Sequence, residues 1–402
     1  MPAPPSSRRA PDRADLASST VDTARALFAE HFSAAPEQPA AVYQQAPLAI
    51  QADHTHYSEG FALFAGLPYG VAVAARAAPG DVSRLVEEAA PARVALPAGA
   101  SNRTGDSLTT RVVRAMLQAT TDAVPALDLA VTHALPDACR DAYVAALARA
   151  VHRAVTACAS DAAPAFDPSF VSLAQAVLPA AQGRPYSAAY PLAVSARAHA
   201  DGHLAAFVLV DTPEGDALPV PSEHGDALQW GAFVPGTPPQ YTPAVSAQRR
   251  ERVRKALAAL QATSDFADLQ TFSALEHRAL DRALRQVDAE HRAVVRHLVT
   301  ENRRVQKHVV ALRHGDGQMS GALLHMTHAS LQATWNDAPA AATFLVGQAK
   351  GYTEAGLYGA GMTGRDGYVL TIGRHPAYPA HIATLRERYE STFHHPVSFL
   401  PL

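Results

Sequence analysis

The sequence predicts a two-domain protein of mixed strands and helices, with sheet-forming segments concentrated in the first half and long helices in the second. Two observations support this. The chain has 402 residues, enough for two sizeable cores, and its 48% hydrophobic and 18% charged residues are the balance of an ordinary globular protein. The apolar positions also change period along the chain, from alternation with turn signals to recurrence every three or four residues.

The elements follow in order. Residues 1–19, opening MPAPPSSRRAPDRAD, are rich in Pro, Ser and Arg and are expected to be a disordered leader. From Thr20, the spacing of Val21, Ala24, Leu27, Phe28 and Phe32 predicts a helix with one apolar stripe. Residues 46–50 and 61–73 read as strands on either side of the turn-rich DHTHYSEG, and 69–75 alternates weakly, so an antiparallel pair is expected. A strand at 127–132 precedes an alanine-rich helix at 141–157, with Val144, Leu147, Val151 and Val155 along one side. Residues 204–210 read as a strand, and 247–260, 289–313, 319–334 and 380–393 carry helical periodicity. The Pro and Gly cluster at 213–221 reads as a loop and sets the expected boundary, giving domains at 20–211 and 212–402.

Composition narrows the functional classes. A formal net charge of −3 gives no electrostatic reason to expect nucleic acid or an anionic membrane as partner. The apolar runs are strand-length, well short of the roughly 20 residues that span a bilayer. Cys139 and Cys158 are the only cysteines and make neither a metal-type pair nor a disulfide framework, so a cytoplasmic setting is expected.

Near the C-terminus, Arg296-His297 leads into Thr300-Glu301-Asn302-Arg303-Arg304, followed by Thr327-His328-Ala329-Ser330-Leu331 and Met362-Thr363-Gly364. This run resembles the galactokinases of the GHMP kinase superfamily. The resemblance extends from about Thr20 to Leu402 and implies an α+β, two-domain GHMP kinase fold. Its N-terminal domain would be a mixed sheet with helices, its C-terminal domain a ferredoxin-like sandwich, and its active-site cleft would lie between them.

Three segments that carry the family's chemistry depart from its pattern. The family signature Gly-Glu-His-Thr-Asp-Tyr, which grips sugar hydroxyls, reads Ala52-Asp53-His54-Thr55-His56-Tyr57 here. Carboxylate and imidazole can still pair with hydroxyls, so Asp53, His54 and His56 are the candidate substrate-binding residues. The histidines also fit a structural turn, and a lone His-x-His is weak evidence for a metal, so no metal site is expected. The family's catalytic arginine falls on Pro47 or Ala49, depending on the direction of counting, and no Arg or Lys lies between Arg25 and Arg76. Charge developing on a transferred phosphoryl group would lose its local positive partner.

In the family, the phosphate loop Pro-x-Gly-x-Gly-Leu-Ser-Ser-Ser-Ala-Ala-Leu opens a helix, and its glycines let backbone N–H groups approach the phosphates. Here the segment is Pro136-Asp137-Ala138-Cys139-Arg140-Asp141-Ala142-Tyr143-Val144-Ala145-Ala146-Leu147, without the loop glycines or the serines. Asp137 and Asp141 would occupy the positive helix end themselves and repel a triphosphate, leaving Cys139 as a neutral residue and Arg140 as a partial offset. No nucleotide-binding residue is therefore expected. The family's catalytic aspartate falls on Tyr190 or Leu192, and no Asp or Glu occurs between Asp167 and Asp201. Tyrosine, with a reference pKa near 10, is a poor base at neutral pH, and leucine has no proton to exchange.

The remaining motifs read as architecture. Gly359-Ala360-Gly361-Met362-Thr363-Gly364 fits a G-x-G-x-x-G pattern, but the strand at 367–372 follows it where a dinucleotide site needs a helix. Arg249-Arg250-Glu251-Arg252-Val253-Arg254-Lys255 is expected to be a solvated helix face. Glu301, Asn302 and Arg304 are expected to hold helices together, and His394-His395 is another weak metal signal. The functional expectation is a catalytically degenerate galactokinase-like protein, with no catalytic residue and no cofactor, that binds a small sugar or a protein partner as a regulator or scaffold. The alternative is an ATP-dependent sugar kinase with a rebuilt site, which would use ATP and Mg.

Overall fold

The computed structural model describes residues 13–32, 38–120, 125–136, 139–159, 168–196, 203–222, 227–236, 242–336, 338–363 and 367–402. The chain opens with α1 (Arg13–His31), then β1 (Ala40–Gln51), β2 (Phe61–Ala77), β3 (Ser83–Glu87) and β4 (Ala90–Leu96). Next come α2 (Leu108–Ala119), β5 (Leu127–His133), α3 (Arg140–Ala159), α4 (Pro168–Gln182), α5 (Ala189–Ser195), β6 (Phe207–Asp211) and β7 (Asp216–Val220). Helix α1 starts at Arg13, so 13–19 belong to a helix and not to the expected leader. Its Ala24, Leu27 and Phe28 cover the outer face of the first sheet, where Arg76 stands over the Phe28 ring.

That sheet has seven strands in the order β4-β3-β5-β2-β6-β7, with β1 on the other edge of β2. It is mixed, as expected: β3 and β5 run parallel, while the other neighbours are antiparallel. β2 is long enough to serve two partners on one edge, since residues 61–65 pair with β6 and residues 71–77 with β5. Pro47 and Pro219, which lack an N–H for the ladder, both sit on edge strands, and Pro47 adjoins a register shift in β1. The pairing of β7 with β6 corrects the sequence reading. The boundary expected at residue 212 cuts a hairpin, and the first sheet continues through Val220.

The second half contains β8 (Leu228–Val234), α6 (Pro243–Gln261), α7 (Leu280–Gln286), α8 (Ala289–Arg313), α9 (Gly317–Trp335) and α10 (Ala340–Lys350). It ends with β9 (Gly359–Thr363), β10 (Tyr368–Arg374), α11 (Ala377–Phe393) and β11 (Ser398–Pro401). Its strands form a four-stranded antiparallel sheet in the order β11-β8-β10-β9. With helices between β8 and β9 and between β10 and β11, this is the β-α-β-β-α-β plan of a ferredoxin-like sandwich. Side-chain caps set the helix starts: Asp288 accepts from His291 N at 3.0 Å to open α8, and Asp316 accepts from Met319 N at 2.8 Å to open α9.

The two sheets share a core. Trp230, Tyr368 and Leu370 of the second sheet join the cluster formed by β1, β2 and α3, so the junction between the halves is apolar and tightly packed. Gly359 and Gly321 meet backbone to backbone, and a Cβ on either would collide with the other strand or helix. The glycine spacing in β9 thus serves the packing of a strand on α9, and a strand follows it.

Candidate functional site

The signature segment forms a 3-10 turn, Asp53–His56, where β1 ends. Thr55 ties the turn down, its hydroxyl donating to Ala52 O at 2.6 Å and meeting Ser187 Oγ at 2.7 Å. The second contact joins the signature to the segment leading into α5, 132 residues away. His54 is buried and lines a small cavity of about 10 Å³ with Gln51, His297, Glu301, Thr327 and Thr363, room for roughly one water. Burial pushes its pKa down to about 4, partly offset by the backbone at Phe61 and reinforced by the Arg304 charge. His56 is also buried, edge-on to the Tyr57 ring at 4.6 Å. Asp53 opens the turn; its side chain lies outside the described parts of the structure.

The preserved C-terminal motif clamps this turn. Tyr57 Oη meets His297 Nε2 at 3.1 Å and accepts from Trp335 Nε1 at 3.1 Å, while His297 Nδ1 meets Ser330 Oγ at 2.8 Å. Burial, with His54, Arg304 and Arg249 nearby, holds the His297 imidazole well below its usual pKa. Glu301 accepts from Thr327 Oγ1 at 2.6 Å and from Arg304 at 2.7 Å, and Asn302 Oδ1 accepts from Phe61 N at 3.0 Å, just after the turn. Glu301, Asn302 and Arg304 are architectural, as their sequence context suggested.

One motif is corrected. In the basic run of α6, Arg254 and Lys255 are solvated and pair with Glu251, but Arg249 is only 4% exposed. Its guanidinium lies 5.6 Å from the Tyr57 ring centroid and 5.1 Å from that of Trp335, so α6 reaches the back of the signature turn through a cation on two aromatic faces.

Pro47, Ala49, Tyr190 and Leu192, onto which the resemblance maps the family's catalytic groups, are uncharged and buried. Pro47 and Ala49 lie within β1, where Ala49 O accepts from Thr363 Oγ1 at 3.1 Å. Tyr190 and Leu192 lie on α5, with Tyr190 stacked on Tyr186 at 5.8 Å and edge-on to Phe64 at 5.0 Å. At the start of α3, Cys139 is buried and Arg140 donates to Gln182 O at 3.2 Å. Asp141 is wholly buried and pairs with Arg184 at 2.8 Å, and its carbonyl accepts from Tyr186 Oη at 2.9 Å. Asp137 lies outside the described residues. The sequence reading gave Asp141 to the helix end; the structure also gives it a guanidinium partner 43 residues away. Arg184, Ser187 and Arg249 were all missed as site residues, because each acts through a long-range contact with no periodic or motif signal.

Four segments therefore converge: the signature turn, the start of α3, the segment 182–192, and the end of β9. No group of three or more His, Cys, Asp or Glu that could hold a metal occurs among the described residues, His394 and His395 included. No described helix is long and apolar enough to cross a membrane.

No family model matches the chain. Among solved structures, the galactokinase of Lactococcus lactis complexed with galactose superposes with a TM-score of 0.78 at 21% identity, covering 96% of this chain and 97% of that one. The chain has the galactokinase fold. The mevalonate kinase of Methanococcus jannaschii superposes at TM-score 0.58 and 9% identity, covering 90% of this chain and 97% of its own. The phosphomevalonate kinase of Streptococcus pneumoniae matches at TM-score 0.58 and 11% identity over 90% and 99%. At these identities the likeness shows a common galactokinase-type fold, and the chemistry rests on the residues described above.

Proposed function

We propose that this galactokinase-fold protein binds without transferring phosphate, acting as a regulator or scaffold that recognises a small sugar or a protein partner. The observation that carries this reading is the Asp141–Arg184 ion pair at the start of α3, the helix end that a phosphate cradle would need. A buried carboxylate there opposes a triphosphate, and its guanidinium partner is already engaged. The uncharged Pro47, Ala49, Tyr190 and Leu192 agree with it, as does the structural use of the C-terminal motif. Asp53 and His56 are the proposed contacts to a sugar hydroxyl, since the cavity beside His54 has room for about one water. A cytoplasmic setting belongs to this reading, in keeping with Cys139 and Cys158 not being joined in a disulfide.

A second reading, a sugar kinase with a rebuilt site that uses ATP and Mg, draws on one observation: Arg140 and Arg184 both lie at the start of α3. The described residues do not fit the nucleotide well, since both guanidinium groups already have protein partners and Asp141 adds negative charge. Calorimetry decides between the readings. Galactose binding with no heat from ATP-Mg supports a non-catalytic sugar binder, silence with both ligands leaves the protein-binding role, and tight ATP-Mg binding overturns the proposal.

A further inference from the structure

Helix α9 presents an unusual face to solvent. Its exposed positions include Met319, Ala322, Met326, Ala329 and Ala333, alternately three and four residues apart, and no Asp, Glu, Lys or Arg occurs between Gly317 and Trp335. Met319 is 44% exposed and Met326 52%. This is the spacing of a helix–helix seam, on a helix whose opposite face already packs on β9 and α8. Beside it, Val310 of α8, 53% exposed, lines with Met319 a groove of about 420 Å³. An ordinary surface helix would place charges here, and exposed apolar strips of this length mark contact sites.

The rim of the groove identifies the occupant. Arg303, Lys307 and His314 line its α8 side. Asp316 is the carboxylate among the described lining residues, and it is engaged in capping α9. We propose that the α8–α9 face docks an amphipathic helix of another protein, apolar along the side that meets Met319 and Met326 and acidic along the edge that meets Arg303 and Lys307. A second copy of this chain fits less well, because an isologous pairing would bring two basic rims together. This deepens the partner-binding part of the function proposed above and rests on it; the galactose and ATP titrations do not involve this face, so the two readings fail separately.

The test uses the full chain and two synthetic fluorescent helical peptides, with leucines at the seam positions and either glutamates or lysines at the flanks, followed by fluorescence anisotropy. The acidic peptide is expected to bind at least about tenfold more tightly than its basic twin, and Met326→Glu to weaken it by about tenfold. Arg303→Glu/Lys307→Glu is expected to reverse the preference, a gain of binding for the basic peptide that misfolding cannot produce. Hydrogen exchange should show protection confined to the second half of α8 and to α9. Equal affinity for the two peptides, an unreversed preference, or a concentration-dependent dimer abolished by Met326→Glu would each overturn the proposal.

Discussion

The Asp141 carboxylate and the Arg184 guanidinium lie 2.8 Å apart, with side-chain exposures of 0% and 10%, so the start of α3 carries its own counter-ion. Removing one partner of such a pair strands a buried charge, whereas removing both need not. Arg184→Met is expected to cost about 3–5 kcal/mol in urea unfolding, and Asp141→Leu/Arg184→Met distinctly less than the sum of the single changes. Additive costs would show that the pair does not act as a unit.

Gly60 and Asn302 form a second close relationship. Gly60 has φ of +156°, and a Cβ there would run into Asn302 Oδ1, the acceptor for Phe61 N. Gly60→Ala is expected to destabilise by about 2–3 kcal/mol through backbone strain and collision. Asn302→Ala should cost about 1–2 kcal/mol for the lost acceptor. The double variant should cost less than the two together, because shortening Asn302 makes room for the new methyl group. Thermal unfolding of the four proteins measures the coupling.

These two pairs also show where reading the sequence stops. The helix at 289–313 was legible to its ends from its 3.6-residue period, and the strand at 127–132 as an apolar run that the structure extends by one residue to His133. β7 was hidden by Pro219, which reads as a loop residue until the edge position of the strand is known. At the candidate site, the residue types at Pro47, Ala49, Tyr190 and Leu192 were readable from the sequence alone. The contacts around them were not, because Asp141 finds Arg184, and Thr55 finds Ser187, across gaps that no local period records. Arg249 misled for a similar reason: a guanidinium in a basic helix face looks solvated until Tyr57 and Trp335 are folded beneath it.

Arg249 should therefore behave as a core residue. Arg249→Ala is expected to lower stability by about 1–3 kcal/mol, from lost cation–π contact and lost packing of its stem, and Arg249→Lys by less. Arg254→Ala, on the solvated face, should change stability by less than about 0.5 kcal/mol. Because Arg249 covers the Trp335 ring, its removal should also increase acrylamide quenching of tryptophan fluorescence. Equal behaviour of the Arg249 and Arg254 variants would count against the aromatic contact.

Acid sensitivity follows from the buried histidines. His54 and His328 have pKa values lowered to about 4, and His297 is held well below its ordinary value, in each case chiefly by burial. Their ordinary value in an unfolded chain is about 6.5. Between the two values the unfolded chain binds more protons than the folded one, so stability rises with pH; the contribution is fully present above about pH 6.5 and is lost as pH falls towards 4. For His54 alone the shift corresponds to about 3 kcal/mol. Urea midpoints measured between pH 7 and pH 4 should fall steeply, and His54→Asn should flatten that fall. An unchanged slope in the variant would mean that His54 takes up its proton in the folded protein without penalty, which its burial and the nearby Arg304 charge argue against.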